Sequence, residues 1–460
     1  MSDPTAPADR VSSSRKLLLD TPAQAPALGY AEIGLALAHL VSVSEPRFAV
    51  GIFGGWGSGK TTLMEAIKTA LPKENLVVVE FNAWRFEREP QLLVPLLDTI
   101  RAALITWSEQ RPAGGATDKM RSIATRIGRV VRALAHGLSA DVGLPGAATI
   151  HYDVGAALDL ISRPGDPDNA QSLYVAAFHE LRRAFTELSE TGVGRVVVFV
   201  DDLDRCLPAR ALEVLESMKL FFDLPGFVFV VGLDEDIVER AVCVKFGDQI
   251  QHAKPGSNDL GGLSSVSIAS PSRRLSREYV KKIFQVPYTL PATMPAQLDD
   301  LLGSMYCTSG LEPAQIDDLQ QRILPYMQYV AVERKVNPRE IKRFINAYTL
   351  QTLIRPELDP DTVLAVQTLA FRYEWRSFYS AMLTDSAKFI QMLRLYREGV
   401  NGAFGALSSE LLSPPVDLAE YLNSSSAEPL IRYGSLDAYL SSLRATSDSV
   451  IARGGQDFLI

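Results

Sequence analysis

The sequence predicts an α/β fold: a parallel sheet sandwiched by helices, followed by an α-helical lid and a C-terminal helical region. Three observations predict it. A glycine-rich turn carrying Lys60 and Thr61 follows an apolar run at residues 48–53. Short β-branched runs at 76–81, 195–200 and 227–232 alternate with amphipathic stretches, the pattern of buried parallel strands with helical crossovers. From Arg277 onward the periodicity is helical, and no further strand is expected there.

Residues 1–27 are rich in Ser, Pro and Ala and carry no apolar signal core, so a disordered leader is expected. Residues 30–43 have helical spacing and lead into the first strand. Leu63, Ala66, Ile67 and Ala70 place a helix directly after the glycine turn. Residues 92–107 and 209–222 are expected helices, and 245–276 reads as a loop interleaved with Gly, Ser and Pro. The expected organisation is a core over 28–250 with an insertion at about 110–173 and a linker over 251–276. A helical lid over 277–355 and a helical region over 356–460 follow. Phe371, Tyr373, Trp375, Phe378 and Tyr379 are expected to be helical core.

Composition narrows the class. The 460 residues carry 46 Lys and Arg against 54 Asp and Glu, a net charge of −8, which argues against nucleic acid across the whole surface. Three widely spaced cysteines make neither a disulfide framework nor a zinc pattern, so a cytoplasmic, reducing setting is expected. The five histidines are scattered and suggest no metal site. No window approaches the roughly 18 apolar residues of a membrane span.

The chemistry lies in two segments. Gly54, Gly59, Lys60 and Thr61 satisfy G-x-x-x-x-G-K-[ST], a turn whose backbone N–H groups cradle phosphates at a helix N-terminus. Gly54, Gly55, Trp56, Gly57, Ser58, Gly59, Lys60, Thr61 and Thr62 are therefore the candidate nucleotide-binding residues. Lys60 should reach the β- and γ-phosphates and the Thr61 hydroxyl should hold Mg²⁺. The second segment, VVFVDDLDRC at 197–206, ends an apolar strand on acids. Asp201 is placed to bind Mg²⁺, and Asp202 is the better candidate to polarise the attacking water. Asp204 either substitutes for Asp202 or caps the next helix.

The combination of GGWGSGKT, FNAWRF at 81–86 and VVFVDDLDRC resembles the KAP family of P-loop NTPases. VPYTLP at 286–291 and NPREIKRFIN at 337–346 fit the same family. The resemblance implies the additional-strand (ASCE) branch of P-loop proteins, an ATP-hydrolysing core and a helical lid. It supports Lys60, Thr61, Asp201 and Asp202 in the roles above. Asn82 either binds the attacking water or γ-phosphate or stabilises a turn, and Trp84 is expected to be packed rather than stacked on adenine. Asp234 either senses the γ-phosphate or caps a helix. Arg339 opens the helix where related lids place an arginine over the nucleotide, with Arg343 one turn on. Arg205 and Arg240 are weaker candidates for arginines offered to a neighbouring subunit.

Family members tied to membranes carry transmembrane helices between the two motifs, and this sequence has none there. A basic amphipathic helix stands instead at 120–138, with Met120, Ile123, Ile127, Val130, Val131, Leu134 and Leu138 on one face. It is expected to pack on the core; peripheral membrane contact, nucleic acid and a docked partner are the sharper alternatives, the partner favoured among them. The expected function is a Mg²⁺-dependent ATPase that couples nucleotide state to conformational change or assembly. Its setting is a homo-oligomer or a system with a separately encoded effector, and anti-phage defence is one such system. The alternative is a slow-hydrolysing ATP-dependent switch or scaffold. A nucleic-acid-stimulated motor is the weakest reading.

Overall fold

The computed structural model describes residues 17–22, 26–72, 74–138, 173–188, 191, 193–222, 224, 226–252, 271–291, 293, 297–306, 313–330, 337–432 and 434–442. Residue contacts divide the chain into two compact units: residues 29–290, and the described parts of 1–28 and 291–460.

The first unit is built on five parallel strands: β1 (Arg47–Phe53), β2 (Leu76–Asn82), β3 (Arg195–Asp201), β4 (Phe227–Leu233) and β5 (Val286–Thr289). Their spatial order is β2-β3-β4-β1-β5, so β4 lies between the strand that feeds the glycine turn and the strand that ends on Asp201. This intervening strand is what the additional-strand branch implies. Every residue of β4 is buried, as expected of a central strand covered on both faces. Registers such as Phe53↔Leu233 and Asn82↔Asp201 align the carboxyl ends along one edge, where ligands of open parallel sheets bind.

Helices α1 (Tyr30–Val43) and α2 (Lys60–Ala70) pack together at Gly34, where an added Cβ would lie 2.8 Å from Ala66 Cβ. In α2 the buried positions Lys60, Leu63, Met64 and Ile67 follow i, i+3, i+4, i+7 spacing. Helices α3 (Leu93–Glu109), α4 (Gly115–Leu138) and α5 (Leu173–Leu188) extend the core, and α6 (Pro208–Phe222), α7 (Glu235–His252) and α8 (Pro271–Ile283) complete the described α-helices of this unit.

Several expectations need correction. Strand β5 falls where none was expected: it is four residues long and contains Pro287, so its own pattern is weak. Its place comes from tertiary pairing of Val50–Phe53 with Val286–Thr289, at a sheet edge that tolerates proline. The expected loop over 245–276 is partly helix, since α7 runs to His252 and α8 begins at Pro271, where proline suits a first helical turn. Residues 253–270 lie outside the described ones. The lid boundary at 277 also moves, because residues 277–290 belong with the sheet.

The apolar face of α4 is core: Met120, Ile123, Ile127, Val130 and Leu134 are buried. Arg126 pairs with Glu187 at 2.7 Å, and Arg129 lies 3.9 Å from Glu180, both across to α5. A membrane-surface helix needs that apolar face free, so the structure removes the lipid reading of this segment. The side chain of Leu138 lies outside the described ones. Among the described residues no helix is long and apolar enough to cross a membrane.

The second unit has one apolar core running from Leu298 to Leu440, so the expected lid and C-terminal region share a single interior. Trp375 and Phe378 are buried in it as expected, whereas Tyr373 is 79% exposed. The leader expectation fails at residues 17–22, which dock on α9 (Pro338–Ile354) of the helical unit. Leu18 is buried, its N–H donates to Asn346 Oδ1 at 2.7 Å, and Asn346 Nδ2 returns a bond to Leu18 O at 2.9 Å. Lys342 Nζ donates to the carbonyls of Leu19 and Thr21. Backbone groups of Leu18, Leu19 and Thr21 so satisfied give the segment an order that composition alone does not reveal.

Candidate functional site

The glycine turn joins β1 to α2. Gly54 N–H donates to Leu233 O at 3.2 Å, which ties the turn to the central strand. Gly59 has φ of +102°, and a Cβ there would meet the Tyr30 ring at 2.8 Å. Tyr30 in turn donates its hydroxyl to Ser58 O at 3.0 Å. Burial, with Tyr288 adding to it, pushes the Tyr30 phenol up to about 12, so it stays a donor at neutral pH. The first residue of α1 is thus a brace under the phosphate turn. Helical spacing at 30–43 was visible in the sequence; the contact that matters was not.

Lys60 and Asp204 form a 2.7 Å ion pair with side chains only 7% and 9% exposed. Lys60 Nζ also donates to the carbonyls of Gly54 at 2.9 Å and Gly55 at 3.0 Å. Asp204 therefore neither caps the following helix nor faces open space: it balances the buried ammonium. This contact was not among the roles expected for it.

Thr61 Oγ1 donates to Asp201 Oδ2 at 2.8 Å, across 140 residues of sequence. A hydroxyl and a carboxylate so placed are the oxygen donors that Mg²⁺ takes from a protein when phosphate and water supply the rest. The fit is chemical as well as geometric. Burial raises the Asp201 carboxyl above its ordinary range against hydrogen bonds from Thr61 and the Asp202 N–H, and the Asp202 and Asp204 charges add to the rise. A divalent cation would reverse that cost. Among the described residues no group of three or more His, Cys, Asp or Glu is arranged to hold a metal, so a cation here would need those other oxygens.

Asp202 adopts a left-handed conformation, φ 56°. Its two oxygens are held separately: Asn82 Nδ2 donates to Oδ2 at 2.6 Å and Arg205 Nε lies 2.8 Å from Oδ1. Asn82 Oδ1 accepts the Arg85 N–H at 3.0 Å, which fixes the amide with its NH₂ toward Asp202. Asn82 thus stabilises its turn and also holds Asp202. Trp84, expected to be packed, is 50% exposed, with the Arg205 guanidinium 5.3 Å from its ring centre. Arg205 is therefore engaged within its own chain. Cys206 nearby is buried, and its thiol is pushed up to about 12 by burial first and then by Glu87, Asp202 and Asp204, so it is no nucleophile.

Other candidates are engaged elsewhere or exposed. Asp234 Oδ1 accepts the Asp236 N–H at 3.0 Å, an N-terminal cap for α7. Arg240 is exposed on α7. Arg339, in the helical unit, pairs with Asp20 of the docked segment, and Arg343 pairs with Glu340 one turn away. A cleft of about 320 Å³ opens beside Thr61 and Asp201, lined also by Asn82, Arg85 and Thr99.

The family profile described as "KAP family P-loop domain" matches residues 30–254 and 267–354. The chain belongs to the KAP family of P-loop proteins. An uncharacterized protein of Methanocaldococcus jannaschii is 25% identical over 180 residues, covering 34% of this chain and 89% of that one. The Phage T7 exclusion protein of Escherichia coli is 24% identical over 269 residues, covering 54% of this chain and 30% of that one. The KAP chain thus spans less than a third of the exclusion protein. Among solved structures, the Aeropyrum pernix ORC2 protein covers 93% of this chain and 97% of its own at 13% identity, with a TM-score of 0.39. Cdc6p from Pyrobaculum aerophilum covers 92% and 97% at 11% identity, with a TM-score of 0.41. Both are loose overall likenesses.

Proposed function

We propose that this KAP-family chain binds ATP with Mg²⁺ on the turn at 54–62 and hydrolyses it. The observation that carries the reading is the meeting of Thr61 and Asp201, which brings both halves of a nucleotide site to one point at the carboxyl edge of the sheet. Backbone N–H groups of the turn and the N-terminus of α2 take the phosphates, and Lys60 exchanges Asp204 for them. Thr61 and Asp201 would hold the cation, which would supply charge neutralisation on the phosphate oxygens. Asp202 orients the attacking water and accepts its proton, once Asn82 or Arg205 releases an oxygen. Asp202→Asn should then keep ATP binding and lose turnover; normal turnover by that variant would exclude Asp202 as the base.

A second reading is favoured by the double restraint on Asp202: a nucleotide-dependent switch or scaffold with slow basal hydrolysis, serving a separately encoded effector or a homo-oligomer. A basal rate well below one per minute, with ATP-dependent assembly seen by mass photometry, would support the switch. Rapid turnover by a monomer would support the plain ATPase. The name of the exclusion protein makes phage restriction the biological setting we favour. Plaque counts on cells carrying wild type or Lys60→Ala test that setting.

A further inference from the structure

Arg85 lines the same cleft as Thr61, Asn82 and Asp201. The turn that carries it is tied to the acidic strand: Ala83 N–H donates to Asp201 O at 3.1 Å, and the Arg85 N–H binds Asn82 Oδ1. Phe86, one residue on, stacks on Phe81 with ring centres 5.4 Å apart and planes 6° apart. The backbone that carries Arg85 is therefore tied to the acidic strand and its neighbour.

Its guanidinium is left over. Among the described residues no carboxylate pairs with Arg85, although Glu65 and Glu80 line the same cleft. Those two acids are satisfied by Lys68 instead, at 2.6 and 2.9 Å. The other arginines near the chemistry or singled out from the sequence are mostly taken: Arg205 by Asp202, Arg339 by Asp20, Arg343 by Glu340. An exposed guanidinium with no carboxylate partner, carried on a tied turn at a cleft that the candidate metal carboxylate also lines, suits an anion bearing several oxygens.

We propose that Arg85 is a catalytic arginine acting within its own chain, donating to the γ-phosphoryl oxygens as negative charge redistributes in the transition state. The proposal rests on the ATPase reading above. In the step it serves, the water oxygen bonds to the γ-phosphorus as the bond to the β,γ-bridging oxygen breaks. ADP leaves with that oxygen, and the water's proton passes to Asp202. Arg85 neither gains nor loses a proton.

The test compares wild type with Arg85→Ala and Arg85→Lys. The readouts are kcat, KM for ATP, calorimetric affinity for Mg·ADP, and affinity for Mg·ADP with aluminium fluoride, a mimic of the transferring phosphoryl group. Arg85→Ala should lower kcat by about 10³-fold, the lower end of the effect of a catalytic arginine. Affinity for the aluminium fluoride complex should fall in parallel, with ADP affinity within about threefold and lysine restoring part of the loss. The mimic makes the test independent of how fast wild type turns over. A kcat and mimic affinity unchanged in Arg85→Ala, or an equal loss of ADP and mimic binding, would overturn the proposal. So would a lowered melting temperature with the same loss in the lysine variant, which would make Arg85 structural. If wild type bound no nucleotide, or Lys60→Ala bound it normally, the ATPase reading itself would fail.

Discussion

The buried carboxylate of Asp204 sits 2.7 Å from the Lys60 ammonium, inside the turn that the sequence assigns to phosphate. A phosphate arriving at Lys60 must displace an anion already there. Asp204→Asn removes that competitor while leaving the Gly54 and Gly55 carbonyls on the lysine. Breaking a buried pair costs about 3–5 kcal/mol, less here because two carbonyls remain. The ligand-free protein should therefore melt earlier, and ATP affinity should rise roughly tenfold for each 1.4 kcal/mol of competition removed. Calorimetry checks the affinity. Unchanged affinity with a large fall in kcat would instead make Asp204 the base.

Gly59→Ala tests the brace beneath the turn. The substitution puts a Cβ 2.8 Å from a Tyr30 ring carbon and demands φ of +102° from an L-residue. Nucleotide binding should be lost and stability lowered by about 1–3 kcal/mol. Tyr30→Phe should cost only about 1 kcal/mol, the net worth of its bond to Ser58 O. Denaturant melts separate the two, and equal losses would contradict the steric account.

The acid limb follows from Asp201. Its carboxyl is raised in the fold by burial, so between its ordinary value and the raised one the folded state binds more protons than the unfolded. Without metal, stability should fall as pH rises through that window and stay lower above it. Asp201→Asn should therefore raise the metal-free melting temperature near neutral pH by a few degrees, since about 1 kcal/mol corresponds to roughly 2–4 °C in a domain of this size. The same variant should lose Mg²⁺-dependent tightening of ATP. A neutral-pH melting temperature below wild type would reverse the assignment.

What the sequence made legible was what local pattern encodes. Four of the five strands, the turn at 54–61 and the Thr61–Asp201 pairing follow from β-branched runs and a spaced motif. What it hid depends on tertiary contact. Four residues with a proline become β5 only beside β1. Asp204 is read as a stand-in for Asp202 or a cap until the fold turns it onto Lys60, and Tyr30 as a helix residue until Gly34 lets α1 approach α2. Arg85 lies inside the FNAWRF block but is given no role, because a single arginine after an aromatic looks like any solvated charge.

The docked segment at 17–22 predicts a stability effect in the helical unit. Asn346 makes two bonds to the Leu18 backbone, so Asn346→Ala should cost about 1–3 kcal/mol and expose residues 17–22 to protease. Limited proteolysis with mass spectrometry reads the cleavage. Wild-type resistance at that segment would show that the clasp contributes little.

Titration of the folded chain with ATP at millimolar Mg²⁺, wild type against Lys60→Ala, is the most direct measurement. Saturable one-to-one binding by wild type, lost or weakened at least about a hundredfold in the variant, is the predicted result. No heat of binding from folded wild type, or equal affinity in both proteins, would contradict a triphosphate site built on Lys60, Thr61 and Asp201.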